Sequence, residues 1–94
     1  MMEVNVLNYE GIQIGVTVLN GMPWFTAEPI AEVLYHNPQK ALRKRVDADD
    51  KLTDTDGRTV FINKAGVYAL IFAGKHPSAK AFKKWFTEAT KKHY

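Results

Sequence analysis

Apolar residues along this chain change their spacing several times, and each change marks an element. Val4 and Val6, then Ile12, Ile14, Val16 and Val18, alternate with polar or small residues. That period of two predicts half-buried strands. Glu10-Gly11 suits a turn between them. Asn20-Gly21 is a stronger hairpin signal, because a type I′ turn needs positive φ at both central positions. The chain returns through Pro23-Trp24-Phe25, where Pro23 limits that strand to an edge or to its first residue. The spacing then becomes helical, with Ile30, Ala31, Val33 and Leu34 on one stripe. Thr26 is read as an N-cap, and Pro29 is tolerated only within the first turn. His36-Asn37-Pro38 ends this helix, since the residue before a proline avoids helical geometry. Pro38 opens a second helix to about Val46. Ala41, Leu42 and Val46 face inward on it, leaving Gln39, Lys40, Arg43, Lys44 and Arg45 outside.

Beyond a polar loop with Asp47, Asp49 and Asp50, the segments Leu52–Thr55 and Arg58–Ile62 predict a second hairpin around Asp56-Gly57. Asn63 is a natural N-cap for a helix from Lys64 to Ala73. Its sequence, KAGVYALIFA, is apolar almost all round, which predicts a buried central helix. Gly74 fits its C-terminal stop, and Pro77 starts the last helix. There Ala79, Phe82, Trp85, Phe86 and Ala89 form one stripe, with Lys80, Lys83, Lys84, Lys91 and Lys92 off it. The aromatic stripe is read as core, because aromatic burial dominates small cores. The expectation is one α+β domain over residues 1–94. It comprises an antiparallel β-meander (3–25), a helix pair (27–46), a hairpin (51–62) and helices over 64–73 and 77–92.

Composition narrows the class. With 94 residues and 46% hydrophobic content, the chain has material for one core. The absence of cysteine excludes disulfides and thiolate zinc sites. The longest apolar run, Ala65 to Ala73, is far short of the ~20 residues a membrane span needs. The N-terminus lacks the basic-then-apolar order of a signal peptide. A soluble protein without membrane contact is therefore expected.

Charge adds a direction to this picture. Residues 1–38 carry four glutamates and no Lys or Arg, whereas 39–45 carry Lys40, Arg43, Lys44 and Arg45. Five aspartates against Lys51 and Arg58 follow over 46–58, and from Thr59 onward seven lysines face only Glu88. Two basic segments separated by acidic ones suit an oriented contact with a polyanion. A support helix, a sharp turn and a cationic helix make a helix-turn-helix candidate, its second helix proposed for the DNA major groove. The competing reading is a packing unit with a solvated charged face. A hairpin after such a pair stands where a wing would, with Arg58 or Thr59 near phosphate. Asp50, Asp54 and Asp56 lie close by in sequence and favour a solvated connecting hairpin instead.

No catalytic arrangement stands out, and the chain is not read as an enzyme. The one serine, Ser78, sits at a helix start where capping explains it. His36, His76 and His93 match no zinc spacing, and the aspartates lack the glycine and distal glutamate of a calcium loop. No glycine-rich phosphate loop is present, so no cofactor is expected.

Several segments taken together resemble a known family. They are Pro23-Trp24-Phe25-Thr26-Ala27, Ile30-Ala31, Leu34-Tyr35, Asn37-Pro38, Lys40-Ala41, Phe61-Ile62-Asn63, Gly66–Ile71, Ala79, Phe82-Lys83 and Trp85-Phe86-Thr87. In this order and spacing they look like the Bro-N domain, the N-terminal module of baculovirus BRO proteins and prophage antirepressors. The chain departs from that pattern at Pro29, where the family commonly opens the first helix with an aspartate. The resemblance implies DNA binding and control of viral or prophage transcription, in the host cytoplasm at the nucleoid. On that basis Gln39, Lys40, Arg43 and Lys44 are expected in the groove of double-stranded DNA. Arg45 and the face formed by Lys80, Lys83 and Lys84 are expected on phosphates. The rival expectation is an antirepressor that captures a phage repressor protein directly, with an exposed Tyr35 as an aromatic anchor.

Overall fold

The computed structural model describes residues 4–74, 76–91 and 94. The predicted meander start at Glu3 and helix end at Lys92 lie outside them. Strands β1 (Val4–Tyr9), β2 (Ile12–Leu19), β3 (Met22–Thr26), β4 (Lys51–Thr53) and β5 (Val60–Ile62) form one antiparallel sheet. Its order is β1-β2-β3-β5-β4. Helices α1 (Ala27–Leu34), α2 (Pro38–Arg45), α3 (Lys64–Ala73) and α4 (Ser78–Thr90) complete the α+β fold. The meander and the second hairpin, expected as separate pieces, join where Phe25 and Thr26 pair with Ile62 and Phe61. Pro23 lies beyond that short junction, where its missing N–H removes no bond to β5.

Turn chemistry sets which side chains face the core. Glu10 and Gly11, like Asn20 and Gly21, adopt positive φ, the signature of two-residue type I′ turns. The first turn locks Tyr9 opposite Ile12 and therefore Leu7 opposite Ile14. In β1 the buried set is thus Leu7 and Tyr9, while Val6 lies opposite Gly15 on the other face and is 57% exposed. This corrects the expected phase of β1, since a two-residue turn fixes parity whatever the local valines suggest. Ile14, Val16, Phe25 and Ile62 are fully buried beneath the helices. The second hairpin is shorter than expected, because Asp54 and Asp56 bend its tip. Asp54 Oδ1 accepts from the Thr55 amide at 2.7 Å, and Asp56 Oδ1 accepts from the Arg58 amide at 2.8 Å. These local bonds compete with the strand ladder.

Helix ends are held by specific groups, not all of them the expected ones. Thr26 occupies the N-cap position of α1 without capping it; its Oγ1 accepts instead from the Gly15 amide at 2.9 Å. The cause is continuity, for β3 runs straight into α1 and Thr26 still belongs to the sheet. Asn63 caps α3 through the Gly66 amide, as expected. Gly66 itself is required for close approach: a Cβ there would stand 3.0 Å from Ile62 Cβ and 3.2 Å from Val46 Cγ1.

Helix α3 is not buried all round. It buries Gly66, Val67, Leu70 and Ile71 on one side, while Phe72 is 70% exposed. A short helix packed against α1, α2 and α4 still has one side open to solvent. The stripe of α4 is core for Ala79, Phe82 and Phe86, joined by Thr90 rather than Ala89, with Trp85 half-buried. Tyr9 packs edge-on to Phe82, and Phe25 edge-on to Phe86, fastening α4 to the sheet. Ser78 does not cap α4 either. Its hydroxyl donates to the Val33 carbonyl at 3.0 Å, and the Ser78 amide donates to His76 Nδ1.

Candidate nucleic-acid interface

Helix α2 has a small interior and a large exterior. Its Asn37 N-cap accepts from the Lys40 amide at 3.1 Å, and Pro38 supplies the first helical position. Ala41 and Leu42 are buried, as is Val46 just past the end. At the C-terminal end, the Lys51 ammonium donates to the Leu42 carbonyl at 3.1 Å. This cation, with Arg43, Lys44 and Arg45 in the last turn, complements the negative end of the helix dipole. Gln39, Lys40, Arg43, Lys44 and Arg45 are all exposed, and among the described residues none of their charged groups is held by a carboxylate. The helix therefore presents its cations unneutralised.

Two depressions flank α2. On one side, a groove of about 410 Å³ is lined by Gln39 and Leu42 together with Thr26, Arg58, Thr59 and one carboxylate, that of Glu28. It reaches from β1 and β2 past the start of α1 to the tip of the second hairpin. On the other side Lys40, Lys44 and Arg45 border Tyr35, His36 and Asn37 in a shallower hollow of about 150 Å³. Arg45 also lines the space between Tyr35 and the His76-Pro77 link that leads into α4.

The groove brings in a residue that sequence reasoning set aside. Aspartates surround Arg58 in sequence, but among the described residues none of their carboxylates pairs with its guanidinium. Asp54 and Asp56 accept backbone N–H groups of the tip, and Asp50 accepts from the Asn63 side chain at 3.0 Å. The signal in the sequence is the Asp-x-Asp-Gly turn itself, whose acidic side chains bond to their own backbone rather than to a neighbouring guanidinium.

The lysines of α4 form their own surface. Lys80, Lys83 and Lys84 share an exposed hollow with Thr87 and Glu88, on the side of α4 opposite its buried stripe. Lys83 is partly engaged, its ammonium lying 5.2 Å from the centre of the Phe72 ring. Tyr68 stacks on the same ring.

Tyr35 is not the exposed anchor that was expected. It is half-buried, and its hydroxyl donates to the Leu70 carbonyl at 2.6 Å, capping the end of α3. Burial pushes its pKa up, with Arg45 pulling in the opposite direction. Gly74 ends α3 without a left-handed turn; a Cβ there would stand 3.1 Å from the Leu70 carbonyl oxygen. His36 and His76 face each other at 6.1 Å between ring centres. Among the described residues no three His, Cys, Asp or Glu side chains group as metal ligands, and no helix is long and apolar enough to cross a membrane.

The profile of the BRO family N-terminal domain matches residues 13–92, from the start of β2 through α4. The Bro-N domain-containing protein 289L of Invertebrate iridescent virus 6 is 30% identical over 87 residues, a match covering 66% of this chain. The same match spans 21% of that viral protein, so the chain corresponds to about a fifth of its relative. No solved structure matches. A sheet-anchored helix pair with a basic second helix, followed by a hairpin and two packed helices, thus falls within one family profile: this chain belongs to the BRO family through its N-terminal, Bro-N, domain.

Proposed function

We propose that this Bro-N domain binds double-stranded DNA as part of a phage- or virus-type regulator, with α2 in the major groove. The observation that carries the reading is the outer face of α2, whose cations no carboxylate of the described residues holds, bordering a groove that also contains Arg58. Gln39, Lys40, Arg43 and Lys44 are proposed to meet base edges, where Arg suits guanine and Gln suits adenine. Arg45 and Arg58 hold phosphates on either side of α2. Lys80, Lys83 and Lys84 form a second phosphate-contacting face, which adds affinity without sequence information. The test is a gel shift at fixed low salt with the double variant Arg43→Ala, Lys44→Ala. Weakened binding with an unchanged circular dichroism spectrum supports the reading, whereas unchanged affinity removes α2 from the interface.

The second reading is direct capture of a repressor protein without DNA. Phe72, 70% exposed and rimmed by Lys83, favours it, because protein interfaces concentrate their energy in aromatic anchors. Random duplex DNA separates the two. A protein making several phosphate contacts weakens steeply as salt rises, and absence of binding even at low salt favours the protein partner.

A further inference from the structure

The two edges of the sheet are treated differently by the sequence. The β4 edge is three residues long and begins with Lys51, the kind of short, charged edge that discourages pairing. The β1 edge runs for six residues, VNVLNY, with no proline and no charge, and its pairing with β2 is continuous from Val4 to Tyr9 without a bulge. Among the described residues nothing pairs with its outer side. Parity identifies the groups left open. The two-residue turn makes Tyr9 and Ile12 a hydrogen-bonded pair, and such pairs alternate along an antiparallel ladder. The N–H and C=O groups of Asn5, Leu7 and Tyr9 therefore point to β2, and those of Val4, Val6 and Asn8 point away.

We infer that β1 pairs antiparallel with β1 of a second copy of this chain, about a two-fold axis at Val6. Centred there, Val6 faces Val6, and Val4 faces Asn8 on each side, so every outward donor meets an outward acceptor. The strand is self-complementary as it stands, which is what an isologous interface requires. Because β1 carries no charge, the two copies oppose no like charges along the strand. Val6 lies opposite Gly15, which offers no side chain to cover it, so its exposed surface is available to the partner's Val6. Pairing extends the sheet from five strands to ten.

Val6 also lines the groove that holds Gln39 and Arg58. The two-fold therefore sets two such grooves on neighbouring subunits, and, resting on the DNA reading above, the cognate DNA site is a two-fold repeat. The dimer itself is tested without DNA, so the two conclusions fail separately.

The experiment is sedimentation equilibrium of the chain from about 1 μM to about 1 mM, a range spanning tight to weak association. It is paired with amide hydrogen exchange at both ends. The expected result is a mass rising to twice the monomer value, with the Val6 and Asn8 amides becoming protected as it does. Val6→Lys places a charge at the axis and is expected to hold the chain monomeric with an unchanged circular dichroism spectrum. Val6→Pro, tolerated on an edge strand, removes the outward N–H while leaving the bonds to β2 in place, and gives the same outcome should the lysine variant misfold. A monomer throughout the range overturns the inference. So does a dimer that survives either folded variant, or one in which the Val6 and Asn8 amides stay unprotected.

Discussion

Helices α2 and α4 carry the same kind of charge and are used in opposite ways. Helix α4 has thirteen residues and buries two phenylalanines that clasp Tyr9 and Phe25 of the sheet. Its lysines occupy what remains, and one of them lies over Phe72. Helix α2 has eight residues and buries only Ala41 and Leu42. A helix this short is marginal on its own, so it depends on the packing of Ala41 and Leu42, helped by its cap, its proline and the Lys51 bond. The difference teaches where to look for function. On α4 basic residues fill the outer side of a structural helix. On α2 most of the sequence is outer side, and Ala41 and Leu42 are the residues it buries.

The comparison can be broken most forcefully at the core. Phe82→Ala is expected to cost about 3–5 kcal/mol, as large aromatic deletions in packed cores do. That is enough to threaten a small domain, and the loss is read from the urea unfolding midpoint. At the cap of α2, Asn37→Ala is expected to cost about 1 kcal/mol. There the rest of the fold survives, and DNA affinity falls although no charge has been removed, measurable by the same gel shift. Tyr35 clamps the α1–α2 turn to the end of α3, and Tyr35→Phe removes a hydrogen bond of about 1 kcal/mol. Its pKa lies above its ordinary value of 10.0 in the folded chain, so the unfolded chain loses that proton first as pH rises. The Tyr35 contribution is therefore fully present below pH 10 and lost above it; Tyr35→Phe is expected to flatten the decline of stability in alkaline urea titrations. The smallest effect belongs to Lys80→Ala, Lys84→Ala. Its stability change is expected within about 0.5 kcal/mol, checked by thermal unfolding, because both side chains are exposed and have no partner among the described residues.

Much of this was legible in the chain because the local signals were chemically specific. Asn20-Gly21, Asn37-Pro38 and Asn63 each set a turn or a cap where the sequence puts it. The α4 stripe buries Phe82 and Phe86 because a 3-4 spacing on a thirteen-residue helix leaves little freedom. What misled was tertiary. The phase of β1 follows from the parity of a turn, not from which residues are valine. The hydroxyls of Thr26 and Ser78 reach partners in other elements, Gly15 and Val33, that no local reading contains. Tyr35 reads as an exposed aromatic until Leu70, 35 positions later, returns to meet it. The same holds for the candidate site. The α2 cations were visible as a charge cluster, but the contribution of Arg58 depends on where the hairpin tip folds and on which amides occupy its aspartates.

The most direct test of α2 as the nucleic-acid-reading helix is a salt titration of affinity for random duplex DNA. It compares the wild type, Arg43→Ala/Lys44→Ala and Lys80→Ala/Lys84→Ala. Each lost phosphate contact flattens the slope of log affinity against log salt by about 0.9. On random duplex, where Arg43 and Lys44 find no cognate base edge and rest on phosphates instead, the account predicts that the α2 pair flattens the slope by up to about 1.8 and, because α2 is the docked helix, weakens binding more than the α4 pair does. An α4 pair that costs as much or more, or a wild-type chain that fails to bind duplex at low salt, would contradict it.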